Sequence, residues 1–191
     1  MNNTEMTRKT KETNITMALS IYGTRKIKIQ TGVGFFDHML ELMAFHAGLD
    51  LQISAEGDTE VDAHHLVEDV GIVFGTLFSK QLDKKGIRRY GQSLLPMDET
   101  LMLVGLDLSN RGYLGYDVTF TSEFLGTMAS ELVEEFFQAI CRSAQINLHF
   151  NCLTFKNNHH LAEAMFKGFG RALKDACTIE GDELPSTKGV L

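Results

Sequence analysis

The chain has 191 residues, of which 43% are hydrophobic, and its 18 basic and 25 acidic side chains give a formal net charge of −7. This composition excludes a disordered chain and suits one large domain or two small halves that share a core. The acidic balance argues against nucleic acid as a partner, and no apolar run reaches the ~18 residues that a membrane-spanning helix needs.

Hydrophobic periodicity predicts strands that alternate with helices along the chain. The first part has predicted strands at 14–19 and 26–30, a helix over 35–46, a strand at 49–53, a helix over 63–80 and a basic loop at 84–91. The second part has predicted strands at 101–108 and 114–120, a helix over 132–143, a strand at 146–150 and a helix over 159–176. A polar tail, 182–191, ends the chain.

The second part of the sequence repeats the first. The segment HHLVED at 64–69 recurs as HHLAEA at 159–164, which is 95 residues further on. Upstream of each copy, residues 38–53 align without gaps on residues 135–150, with apolar positions matched. We infer two similar strand–helix–strand–helix halves, packed as one unit about a pseudo-twofold axis. The predicted division is a first half at 1–92, a second half at 93–181 and a C-terminal tail at 182–191.

The N-terminus and the cysteines favour a cytoplasmic location. The first eleven residues are polar and lack the apolar segment of a signal peptide. Cys141, Cys152 and Cys177 are scattered and form no CxxC pair, so we expect reduced, buried thiols.

Each half of the repeat carries an HHxxE motif at the start of a predicted helix. Residues four apart share a helix face, whereas neighbours lie about 100° apart. His64 and Glu68 can therefore bind one ion, with His65 directed towards a second, and the equivalent residues are His159, His160 and Glu163. Imidazole and carboxylate donors suit zinc, manganese, iron or nickel. A single HHxxE is more often a helix surface, but two copies at equivalent positions favour metal binding.

Further candidate residues lie outside the HHxxE motifs. His38 and Glu135 occupy equivalent positions in the repeat and could each add a ligand, although Glu135 lies in an acidic helix where a solvated carboxylate is common. His46 follows a helix and is a capping or site residue. A phosphate cradle would form if the basic and hydroxyl side chains converge, and scattered surface charge is the alternative; these are Arg88, Arg89, Arg111, Ser186, Thr187 and Lys188.

Seven segments of the sequence together resemble the imidazoleglycerol-phosphate dehydratase family. The resemblance rests on TKETNI, GVGFFDHMLELMAFHAGLDL, DAHHLVEDVGIVFG, PMDETL, DLSNRGYL, NNHHLAEAMFKGFGRAL and PSTKGVL, which run from Thr10 to Leu191. It implies a lyase of histidine biosynthesis that converts imidazole glycerol phosphate to imidazole acetol phosphate and water, in its stand-alone form. It also implies an internally duplicated α/β fold of the two-layer α+β kind, in which each half is a four-stranded sheet packed against two helices. The implied assembly is a cytoplasmic 24-mer with two Mn²⁺ per active site, at sites between subunits.

The resemblance also assigns roles to residues of this chain. The implied metal ligands are His38, His64, His65, Glu68, Glu135, His159, His160 and Glu163. The implied substrate-binding residues are Glu12, His38, His46, Arg89, Arg111, Lys167, Ser186, Thr187 and Lys188. Glu12 matches the catalytic carboxylate of the family, with Glu163 and Asp98 as further catalytic candidates. Many relatives have histidine where this chain has Glu135, a departure that bears on metal preference because an oxygen donor suits manganese.

The reaction implies a mechanism, because the hydrogen to be removed is not acidic in the substrate. Two metal ions on the imidazole nitrogens would favour imidazolate, which could expel the hydroxyl group to give a diazafulvene. Glu12 could then remove the proton that has become acidic. Two rivals remain, namely a dinuclear hydrolase and a non-catalytic metal-storage or assembly protein. The basic loop and PSTKG tail argue against the first, and Glu12 and the arginines against the second.

Overall fold

The structure, a computed structural model, describes residues 4–189 and contains ten strands and four helices in that range. The first half contains β1 (Thr4–Lys9), β2 (Thr13–Ser20), β3 (Ile27–Gln30), α1 (Gly34–Ala47), β4 (Asp50–Gly57) and α2 (His64–Gln81). The second half contains β5 (Tyr90–Met97), β6 (Thr100–Asp107), β7 (Tyr113–Asp117), β8 (Phe124–Leu125), β9 (Met128–Ala129), α3 (Leu132–Ala144), β10 (Asn147–Thr154) and α4 (Asn158–Ala176).

The two halves follow the same path through space. The first sheet has the strand order β1-β2-β4-β3, and the second has the order β5-β6-β10-β7. In each sheet the first three strands pair antiparallel and the last pair is parallel. The short β8–β9 hairpin is an insertion in the second half. The duplicated fold, with a four-stranded sheet and two helices in each half, is confirmed.

The structure adds one strand at the start of each predicted half, β1 in the first half and β5 in the second. The segment that forms β1 has one apolar residue, Met6, and its side chains alternate only between exposed and half-buried, so its hydrophobic signal is weak. β5 begins at Tyr90, inside the predicted basic loop, and pairs with β6 in the second sheet. The second sheet therefore begins before the division placed at residue 93, and the exact division of the chain remains a proposal.

The helices of the two halves pack face to face between the sheets. α1 lies beside α4, and α2 lies beside α3. Phe136 of α3 is in edge contact with Phe36 of α1 and stacks on Phe166 of α4, with ring centroids 5.1 and 5.4 Å apart. All three rings are fully buried. Burial of each such side chain contributes about 1.5–3 kcal/mol, so the shared helical layer accounts for much of the stability of the fold.

Glycines allow the helix backbones to approach closely. A Cβ at Gly71 of α2 would lie 2.8 Å from the carbonyl oxygen of Phe136, and a Cβ at Gly170 of α4 would lie 2.5 Å from that of Met43. These contacts set how far apart the first turns of the paired helices lie, and those turns carry the HHxxE motifs.

Three further sequence predictions concern membrane-spanning helices, the cysteines and the C-terminal tail. Within residues 4–189, no helix combines the length and the apolar character needed to span a bilayer. The three cysteines are free thiols; Cys141 and Cys177 are buried as expected, whereas Cys152 is only half-buried. The last two residues of the predicted tail, 190 and 191, lie outside the described residues.

Candidate metal centre

A first cluster of metal-type donors forms where α1 meets α4. It consists of His38, His159 and Glu163, whose ligand atoms all lie within 4.8 Å of one another. The Nε2 atoms of His159 and His38 lie 3.0 and 3.4 Å from Oε1 of Glu163. The first helical turn is fixed by Asn157, whose side chain accepts hydrogen bonds from the backbone N–H groups of His159 and His160.

The carboxylate of Glu163 lies at the base of this first cluster. Its side chain is 10% exposed, and it accepts a hydrogen bond from Lys167, one turn further along α4. Burial alone would raise the pKa of Glu163, but hydrogen bonds from Lys167 and the two histidines outweigh burial and lower it. The carboxylate is therefore ionised and available as a ligand at neutral pH.

A second cluster forms where α2 meets α3. It consists of His64, Glu68 and Glu135, again with ligand atoms within 4.8 Å of one another. Nη2 of Arg142 lies 2.9 Å from Glu68 and 3.1 Å from Glu135, so one guanidinium group bridges both carboxylates. The second cluster thus has one imidazole and two carboxylates, whereas the first has two imidazoles and one carboxylate.

The two clusters are related by the internal repeat. His64 and Glu68 of α2 correspond to His159 and Glu163 of α4, and Glu135 corresponds to His38. Each cluster combines the first histidine and the glutamate of one HHxxE motif with a residue from a helix of the other half. The predicted sharing of a face by residues four apart therefore agrees with the geometry.

The second histidine of each motif points away from its own cluster. Nδ1 of His65 lies 3.0 Å from Oδ2 of Asp58, and Nδ1 of His160 lies 3.0 Å from Oε2 of Glu99. The hydrogen bond to Asp58 is the main cause that raises the pKa of His65, and the charge of Glu12 adds to it. The hydrogen bond from His160 is the main cause that lowers the pKa of Glu99 to about 2.

The two carboxylates predicted near the chemistry occupy turns at the sheet ends. Glu12 lies exposed between β1 and β2, and its carbonyl oxygen accepts a hydrogen bond from the backbone N–H of Asp58 at 3.1 Å. Asp98 lies in the β5–β6 turn with a positive φ of 51°, and its carboxylate is 4.0 Å from Nε2 of His160. Its side chain is 78% exposed. Glu12 and Asp98 therefore adjoin different HHxxE motifs.

The predicted phosphate-binding residues do not converge on one place within the chain. Nε of Arg89 donates to Asp107 at 2.7 Å, and Nη1 donates to the carbonyl oxygen of Pro185 at 3.0 Å, so Arg89 contacts the start of the tail. Within that tail the backbone N–H of Lys188 lies 3.3 Å from Oγ of Ser186. Thr187 and Lys188 are exposed. Lys167, by contrast, contacts Glu163 of the first cluster.

Other candidate residues lie apart from these contacts. Arg111 is exposed after β6, and its Nη1 contacts the carbonyl oxygen of Ser109. Arg88 forms ion pairs with Asp175 and Glu180, so we assign it a structural role. His46 lies in the last turn of α1, where burial, followed by the charges of Lys167 and Arg171, lowers its pKa.

The sequence model of the imidazoleglycerol-phosphate dehydratase family matches residues 31–173, which contain both clusters. The chain belongs to the imidazoleglycerol-phosphate dehydratase family. It is 53% identical over 188 residues to the imidazoleglycerol-phosphate dehydratase of Caldicellulosiruptor saccharolyticus, covering 98% of this chain and 97% of that one. It is 56% identical over 192 residues to that of Acetivibrio thermocellus, with the same coverage. The crystal structure of imidazoleglycerol-phosphate dehydratase from Staphylococcus aureus superposes with a TM-score of 0.86 at 41% identity, covering 93% of this chain and 99% of that one.

Sequence reasoning missed four residues that support the site of this dehydratase-family chain. Asp58, Glu99 and Arg142 contact candidate ligands, and Asp69 is buried where it accepts hydrogen bonds from Arg8 and Thr13. Arg142 follows Glu135 by seven residues, which is two helical turns, so helical spacing was a usable signal for it. Nothing in the local sequence pairs Asp58 with His65.

Proposed function

We propose that this chain is an imidazoleglycerol-phosphate dehydratase that converts D-erythro-imidazole glycerol phosphate to imidazole acetol phosphate and water in histidine biosynthesis. The observation that carries the proposal is the pair of repeat-related donor clusters, found in a chain of this family. The two rivals explain less, because a hydrolase or a storage protein needs neither the family's full set of segments nor Glu12.

The donor sets fit two Mn²⁺ ions per active site. Imidazole nitrogens and carboxylate oxygens are common manganese ligands, and each cluster contains both. The residues that would hold the ions are His38, His64, His65, Glu68, Glu135, His159, His160 and Glu163. When bound, the ions supply Lewis acidity that lowers the pKa of the imidazole ring N–H of the substrate.

Residues of this chain would bind the two ends of the substrate. Arg89, Arg111 and Lys167 offer cationic donors to the phosphate, and the tail offers the hydroxyl and ammonium groups of Ser186, Thr187 and Lys188. His46, at the end of α1, is a further substrate contact in this proposal. Fixing both ends orients the carbon that loses its hydroxyl group.

Glu12 is the proposed base. Once the electron-rich ring has expelled the hydroxyl group, the resulting diazafulvene makes the neighbouring C–H acidic, and Glu12 accepts that proton to give an enol that becomes the ketone. The hairpin that carries Glu12 is held by Asp69, which is 10% exposed and binds Arg8 at 2.9 Å and Thr13 at 2.5 Å. Glu163 and Asp98 are further proposed catalytic groups beside the second HHxxE motif.

The active site is proposed to form between subunits of a cytoplasmic 24-mer. Each cluster offers three ligands, whereas manganese favours six-coordinate sites. Neither cluster contains His65 or His160, and His160 instead groups with Asp98 and Glu99, so ligands from a neighbouring chain are the proposed means of completing each coordination sphere. The three free cysteines are in keeping with the cytoplasmic location.

Product formation tests this function directly. The protein is stripped with a chelator, reloaded with Mn²⁺ and given imidazole glycerol phosphate, and we expect imidazole acetol phosphate only after reloading. Glu12→Gln is expected to lower turnover by at least ~100-fold, since general-base catalysis contributes about 10²–10⁴-fold. No product from a fully loaded and assembled protein would refute the proposed reaction, and full activity in Glu12→Gln would remove Glu12 from it.

A further inference from the structure

The internal repeat makes Glu12 and Glu99 equivalent residues. In the first sheet Ile15 of β2 pairs with Ala55 of β4, and in the second sheet Met102 of β6 pairs with Cys152 of β10. The gapless alignment that matches residue 38 to 135, when continued, matches Ala55 to Cys152, so Ile15 and Met102 are equivalent. Glu12 and Glu99 each precede these residues by three positions and lie in the matching hairpin turns.

The two equivalent glutamates have different partners. The carboxylate of Glu99 lies 3.0 Å from Nδ1 of His160 and accepts the backbone N–H of Asn157 at 3.0 Å. Within residues 4–189, the carboxylate of Glu12 makes no hydrogen bond, and the Glu12 turn is joined to the first motif through the backbone N–H of Asp58, which donates to the carbonyl oxygen of Glu12 at 3.1 Å. Glu99 is thus hydrogen-bonded to a histidine, whereas the carboxylate of Glu12 is not.

Asp58 accounts for this difference. It follows β4 directly, and its carboxylate lies 3.0 Å from Nδ1 of His65. Asp58 thus makes to His65 the same contact that Glu99 makes to His160. The residue at the position equivalent to Asp58 is Phe155, which has no carboxylate to offer. The backbone N–H of Asp58 also binds the carbonyl oxygen of Glu12, so Asp58 contacts both the histidine and the glutamate turn.

We propose that Asp58 and Glu99 are positioning residues that hold His65 and His160 in the tautomer and orientation needed for metal binding through Nε2. Because Asp58 performs this role in the first half, the carboxylate of Glu12 stays free for proton transfer. A ligating histidine usually donates its other N–H to a carboxylate, which fixes the ring and strengthens the ligand. The duplicated template thus yields one supporting and one reactive carboxylate at equivalent positions.

Manganese affinity, measured without substrate, tests the positioning roles in the assembled full chain. Competition with a chromophoric chelator is compared for the wild type, Asp58→Asn, Glu99→Asn and Glu12→Gln, with the exposed strand residue Glu56→Gln as a matched charge control. We expect the first two variants to bind Mn²⁺ about 10- to 100-fold more weakly. Glu12→Gln and Glu56→Gln should bind it as the wild type does.

A second measurement separates positioning from catalysis. Excess Mn²⁺ should restore most of the turnover of Asp58→Asn and Glu99→Asn, because the metal then fills the weakened sites. Excess Mn²⁺ should not restore the turnover of Glu12→Gln. Glu99→Ala and Asp58→Ser serve if an amide variant fails to fold, since they also remove the carboxylate.

The inference concerning Glu12 rests on the proposed function, but the metal measurements do not. Wild-type Mn²⁺ affinity in Asp58→Asn or Glu99→Asn would overturn the positioning roles even if the protein is an active dehydratase. Loss of Mn²⁺ affinity in Glu12→Gln would overturn the division of labour between the equivalent glutamates. Normal metal results with no product from the wild type would reject the reaction alone.

Discussion

At the scale of single residues, the two clusters differ in the charged side chains that they contain. The repeat places Glu135 where the first cluster has His38, and Arg142 where the other half has Phe45. Compared with the first half, the second half therefore has one additional negative and one additional positive charge at these positions. The two charges form an ion pair, because Nη2 of Arg142 lies 3.1 Å from Glu135, and the same atom lies 2.9 Å from Glu68. Arg142 offsets the repulsion between the two carboxylates in the metal-free chain.

This balance predicts that Arg142 weakens metal binding at the second cluster. In Arg142→Gln we expect Mn²⁺ to bind there about tenfold more tightly, since one unit charge close to a divalent ion at a partly exposed site disfavours it by roughly 1–2 kcal/mol. Lys80→Gln, an exposed residue in the last turn of α2, is the charge control. Chelator competition measures both variants, and weaker binding in Arg142→Gln would show that the arginine mainly positions the carboxylates.

At the scale of secondary-structure elements, the site depends on two pairs of closely packed helices. His38 meets the first turns of α4, and Met43, five residues further along α1, meets Gly170. The paired helices therefore run in the same direction, and the same pattern relates α3 to α2, where Glu135 contacts the first turns of α2 and Ile140, five residues further along α3, contacts Gly75. Backbone-to-backbone contact at the glycines fixes the distance between the first turns, and hence between donors from different halves.

Widening one helix pair should therefore weaken both the fold and the site. A Cβ at Gly170 would lie 2.5 Å from the carbonyl oxygen of Met43, so we expect Gly170→Ala to lower the free energy of unfolding by about 1–3 kcal/mol. Gly34→Ala is the control, because a Cβ there meets nothing within 4 Å. Urea denaturation of the metal-free proteins measures the difference, and equal stabilities would show that the helices adjust without cost.

At the scale of the whole molecule, the two halves share one interior. The buried faces of α1 and α2 contact helices of the second half as well as their own sheet, and Phe136 packs on residues from both halves. Neither half alone could bury these faces. Each metal-type cluster is likewise built from both halves, so stability and site formation depend on the same association.

Separation of the halves should abolish folding until they are mixed. We expect fragments 1–83 and 84–191 each to lack cooperative thermal unfolding, because several large apolar side chains, worth about 1.5–3 kcal/mol each, would be exposed. Mixing should restore the far-UV circular dichroism of the intact chain, and the intact chain carried through the same steps is the control. Cooperative unfolding of fragment 1–83 alone would contradict this account.

The sequence alone determined the repeat, the four helices, most strands and the two HHxxE motifs, because helical spacing and strand alternation are local properties of the chain. It also carried the segments that identify the family. It missed β1, whose side chains alternate without a fully buried face, and β5, whose first two residues were assigned to the predicted basic loop. In both cases pairing with a neighbouring strand, rather than the local pattern, decides the structure.

Only the tertiary structure decided which residues support the candidate ligands. Asp58 meets His65 across the end of β4, Glu99 meets His160 from 61 residues away, and Arg142 meets Glu68 from 74 residues away. Such contacts leave no periodic trace in the sequence, since they depend on how sheets and helices pack. For the same reason, the strand registers were needed to show that Glu12 and Glu99 are equivalent, and the fold determined that one binds a histidine and the other does not.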